Sequence, residues 1–88
     1  MAAIAVNGGA WANLGTGSIA LQYLGNDTIL VAVAAAAPAI PPAPGVGFKV
    51  TWREASTPQE VGDSAGVNSV WATPMDQKIT SGIFVTVG

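Results

Sequence analysis

Apolar and polar positions alternate with a period of two along most of the chain, the periodicity of half-buried strands. Over residues 18–24, Ile19, Leu21 and Tyr23 share one face; over residues 28–34, Ile29, Val31 and Val33 do. Gly25-Asn26-Asp27 between them is a turn signal, so the two segments read as a hairpin. Residues 46–53 carry the clearest alternation, with Val46, Phe48, Val50 and Trp52 toward a core and Gly47, Lys49, Thr51 and Arg53 toward solvent. Residues 54–66 are polar, contain Pro58, Gly62 and Gly66, and read as a loop. A strand over 67–73 brings Trp71, a turn follows at 74–77, and residues 78–80 are read as a short strand. The last strand, 82–87, sets Ile83, Val85 and Val87 on one face and Phe84 and Thr86 on the other. The stretch 4–14 is broken by glycine, and Trp11 within it is expected to anchor it to the core.

Between two of these strands lies a segment of another kind. Residues 34–44 are alanine and proline apart from Ile40, with prolines at 38, 41, 42 and 44. That density excludes a helix or a central strand, because each proline lacks an N–H and fixes its own φ. The segment is therefore extended, near polyproline II. It is read either as a surface connection within the domain or as an arm that lies along a neighbouring protein. Ala35, Pro38, Ile40, Pro41 and Pro42 in this segment, with Phe84, are the candidate protein-interface residues. Phe84 joins them because its strand phase points it away from the core; Phe48, Trp52 and Trp71 are assigned to core packing.

The predicted architecture is all-β: a small antiparallel β-sandwich, barrel or jelly-roll-like domain with an extended Ala/Pro-rich arm. Val, Ile and Thr make up 23 of the 88 residues, and their stiff side chains suit a pleated sheet. Five to seven short strands are expected in a single domain spanning residues 1–88.

Charge changes the picture. Only 9% of residues are Asp, Glu, Lys or Arg, against about 25% in ordinary soluble domains. With three cations and a formal charge of −2, nucleic acid is not an expected partner. Either Ser, Thr, Asn and Gln solvate this surface in place of charges, or neighbours cover much of it, and the reading favours coverage, hence a homo-oligomer or a docked protein. The chain has neither cysteine nor histidine, so it has no disulfide and lacks the usual zinc, haem and iron–sulfur ligands. The opening Met1-Ala2-Ala3-Ile4-Ala5-Val6 has no basic region of a secretion signal. The apolar run 29–37 stops at Pro38, well short of the ~20 residues of a membrane helix.

Candidate chemistry is thin. Five serines have no histidine to activate them, which leaves only a Ser–Lys pairing through Lys49 or Lys78. Glu60 and Asp63 stand three apart and could serve as a carboxylate pair or a calcium site, but no Asp-x-Asp-x-Asp pattern accompanies them. Gly8-Gly9, Gly15-x-Gly17 and Gly45-x-Gly47 are turn glycines; no Gly-Lys-Ser/Thr follows them. No enzyme activity, cofactor or metal is expected.

Val70-Trp71-Ala72-Thr73, a turn, and Ser81-Gly82-Ile83-Phe84-Val85-Thr86-Val87 resemble the ending of small tailed-phage virion proteins, and Gly47-Phe48-Lys49-Val50-Thr51 is similar in style to their upstream strand. The likeness covers about half the chain. It implies a β-domain that decorates or cements a capsid, located on the virion surface. The partner would be the major capsid protein or another virion protein, and the domain itself would favour a homotrimer. It implies no residue-level binding site. The alternative is a fibre or tail module that binds a receptor or glycan through exposed aromatics.

Overall fold

The computed structural model describes residues 2–23, 25, 27–40, 42, 45–51, 57–79 and 83–88. Among them are eight strands and no helix: β1 (Ala2–Ala5), β2 (Ala12–Thr16), β3 (Ser18–Gln22), β4 (Ile29–Ala34), β5 (Phe48–Val50), β6 (Gln59–Gly62), β7 (Ser69–Pro74) and β8 (Phe84–Val87). They form two four-stranded sheets, ordered β1-β8-β3-β6 and β2-β7-β4-β5, with every pairing antiparallel. β1 pairs with β8, β2 with β7, β3 with β6 and β4 with β5. First pairs with last, second with second-last, and so inward. That is a long antiparallel hairpin wrapped into two facing sheets, the jelly-roll arrangement of a β-sandwich.

The period-two pattern builds the core directly. Leu14, Ile19, Leu21, Tyr23, Ile29, Val31, Val50, Val70, Ala72 and Val85 project between the sheets and are buried. Removing this much apolar surface from water, at roughly 25 cal/mol per Å², is what offsets the ordering of a chain with no disulfide. Trp11 is buried, as its anchoring role requires, and the glycine-broken stretch around it contributes β1 and β2.

Several expectations need correcting. β3 and β4 are not a hairpin: they lie in different sheets and face one another across the core. Alternation says which side chains point inward, and it reads the same whether the next strand lies beside or opposite. The chain crosses over after Tyr23, where an added Cβ at Gly25 would sit 2.5 Å from the phenol ring, so only glycine passes. Asn26 lies outside the described residues.

The expected loop over 54–66 contains β6. Its polar sequence is that of an edge strand bonded only to β3, with Val61 alone packed on the core. Of the strand read over 46–53, Phe48–Val50 forms β5, and Trp52 and Arg53 lie outside the described residues. Phe48 has the inward phase but is 47% exposed, because β5 is a sheet edge that β6 does not cover. Trp71 is half-buried on the outward phase of β7, not in the core. Lys78 sits in a turn closed by Ile79 N–H to the Asp76 carbonyl at 3.1 Å; Thr80 lies outside the described residues.

Candidate protein-docking surface

The long connection from β4 to β5 is held on its own domain. The Trp71 indole N–H donates to the Ala34 carbonyl at 3.0 Å, where the segment leaves β4. Farther on, the Trp11 indole N–H donates to the Ala39 carbonyl at 3.3 Å. On the return, Gly47 has φ +73° and an added Cβ there would meet the Val31 carbonyl oxygen at 2.6 Å, so the backbone runs tightly over β4. Two indoles and a glycine thus fasten the connection at Ala34, Ala39 and Gly47.

The surface this presents is unusual in composition. From Ile29 to Phe48, twenty consecutive residues, no side chain can donate or accept a hydrogen bond. Val33, Ala35, Ala36, Ala37, Ala39, Ile40 and Phe48 of this run are exposed. Contiguous exposed apolar surface on a small domain marks sites that other proteins cover.

The six interface candidates divide. Ala35 and Ile40 are exposed and Pro38 and Pro42 half-buried; Pro41 lies outside the described residues. Phe84 is 58% exposed, as its phase requires, but it lies on the other sheet, across β1–β8 from Ala5. The described arm residues belong to β4's connection to β5 in one sheet, whereas Phe84 is in β8 of the other.

Among the described residues, β5 and β6, one edge strand of each sheet, border a cleft of about 480 Å³ lined by Leu21, Val33, Phe48, Val50 and Val61, with Lys49 and Glu60 on its two strands. Period-two reading could not have located this cleft, since it arises from which strands end up as edges. The one sequence signal was the shortness and polarity of β6.

The polar candidates have structural occupations. The Asp63 carboxylate accepts N–H groups from Ala65 (2.9 Å), Val67 (3.3 Å) and Asn68 (3.1 Å), and the Asn68 side-chain amide as well (3.1 Å). These bonds, that from Ala65 first, hold its pKa below the usual carboxylate value. Glu60 instead accepts from the Ser18 hydroxyl at 2.8 Å across β3–β6. The Ser69 hydroxyl pairs with that of Thr16 at 3.1 Å. Among the described residues no three Asp or Glu side chains gather as metal ligands. No described helix is long and apolar enough to cross a membrane.

No protein-family model, curated protein or solved structure matches this chain.

Proposed function

We propose that this chain is a structural protein that docks on a larger protein assembly and stabilises it, in the manner of a phage capsid decoration or cement protein. The observation that carries this reading is the run 29–48, which has no charged or hydrogen-bonding side chain, exposes Val33, Ala35, Ala36, Ala37, Ala39, Ile40 and Phe48, and is fastened at Ala34, Ala39 and Gly47. A pre-shaped apolar surface loses little conformational entropy when covered, so its burial converts efficiently into affinity. The sheet edges and the ridge would contribute contact area to neighbouring capsid subunits. Binding the assembled form in preference to free subunits would then stabilise the shell by mass action. No cofactor or catalysis enters this role.

The test is co-sedimentation of the purified chain with shells assembled from the major capsid protein encoded in the same genome. Saturable pelleting, with shells that melt at higher temperature, supports the reading. No pelleting at any concentration rejects it.

The glycan-binding alternative rests on Phe84, an aromatic 58% exposed on the other sheet. Retention on immobilised glycans that is lost on Phe84→Ala would favour that reading instead.

A further inference from the structure

The cleft between β5 and β6 points to a second copy of this chain. Among the described residues, β5 and β6 each have one unpaired backbone edge bordering the cleft, with exposed Phe48 and Val33 in its lining. Edge strands in stable proteins are normally paired, covered or blocked. Here one edge carries a cation, Lys49, and the other an anion, Glu60, each exposed and each bordering the cleft. A surface with one positive wall and one negative wall complements itself. A two-fold axis parallel to the strands brings β5 of one copy against β6 of the other, so that Lys49 meets Glu60 of the second copy twice. In the same contact the two Phe48 side chains enter the joined clefts.

We propose that this edge is an isologous dimer interface, in which β5 and β6 of two copies seal each other's cleft. Rim charges of this kind choose the partner and its register, and the apolar floor supplies the driving force. The interface shares Val33 and Phe48 with the apolar run proposed to contact a larger assembly, but Lys49 and Glu60 lie outside that run, so charge exchange at these two positions reads this interface alone.

The experiment is sedimentation equilibrium from about 1 μM to 1 mM, the range in which weak pairs dissociate. The wild-type mass is expected to rise from 8.8 kDa to twice that value. K49E and E60K alone each bring like charges together, and each should stay at 8.8 kDa. An equimolar mixture of K49E with E60K restores both opposite-charge contacts and should recover the doubled mass. Both positions are exposed, and unchanged far-UV circular dichroism confirms that each variant folds. A wild type that stays monomeric throughout overturns the proposal. So do single variants that associate as the wild type does, and so does a mixture that fails to associate.

Discussion

Asp63 shows how a single carboxylate can organise a surface turn. Its four N–H donors come from residues 65–68, so the side chain substitutes for a strand partner where the chain leaves β6 and prepares to enter β7. Because its folded pKa is depressed, the stabilisation is present above the unfolded value of 3.8 and is lost as pH falls through the lower folded value. A carboxyl-detected NMR titration should therefore place the Asp63 midpoint below 3.8. The Ala65, Val67 and Asn68 amides should move with it, and a midpoint at or above 3.8 would contradict the capping geometry. Spacing singled out Glu60 and Asp63 as a pair. Their separate occupations, one on Ser18 and one on the loop, depend on strand pairing that spacing does not encode. Tyr23 is a second residue with a definite expectation. Its ring fills the core, but its buried hydroxyl has no hydrogen-bond partner among the described residues. Burial pushes the phenol's pKa up. An unsatisfied buried hydroxyl costs roughly 1–3 kcal/mol. Tyr23→Phe should thus be neutral or stabilising in urea unfolding, and a loss of more than about 1 kcal/mol would show that the hydroxyl is bonded.

At the scale of elements, the sequence was readable where a strand is covered on one face and opaque where it lies at an edge. β3, β4 and β8 bury Ile19, Leu21, Ile29, Val31 and Val85 as their alternation assigns, while Val33 is exposed and β7 buries Val70 and Ala72 rather than Trp71. β6 was hidden because its polar residues serve a solvated edge, and in β5 Phe48 shares Val50's phase without sharing its burial. The wrong hairpin has the same origin: turn residues at 25–27 mark a reversal, and a reversal serves a sheet crossing as well as a hairpin. In the Ala/Pro segment, Ala34 is the last residue of β4 and residues 35–40 lie in no strand. What could not be read was the segment's fastening, since indole N–H groups from residues 11 and 71 reach it from distant parts of the chain. Trp71→Phe keeps the ring and removes one fastening. It should cost about 0.5–1.5 kcal/mol and speed proteolysis within residues 35–47. An unchanged cleavage rate would mean the indole bond does not hold the segment.

Across the whole molecule, the wrapped-hairpin topology determines what each surface can do. β1 pairs with β8, with Ala2 opposite Val87, so the first and last strands lie side by side in one sheet. One sheet carries Phe84 outward; the other is overlaid by the apolar ridge; a cleft lies between β5 and β6. The low charge noted in the sequence becomes intelligible here as a spatial pattern. The described charges sit at loops and on the β5 and β6 edges, at Asp27, Lys49, Glu60, Asp63, Asp76 and Lys78, and the ridge has none. Since the ridge and Phe84 belong to different sheets, a comparison of the two is decisive. The measurement is shell co-sedimentation of Ala36→Glu, Ile40→Glu and Phe84→Ala beside the wild type, with folding checked by circular dichroism. A charge at exposed positions 36 or 40 should change stability by no more than about 0.5 kcal/mol, yet abolish pelleting, while Phe84→Ala pellets as the wild type does. Pelleting that survives both ridge substitutions and is lost with Phe84→Ala would contradict the account and move the docking surface to the other sheet.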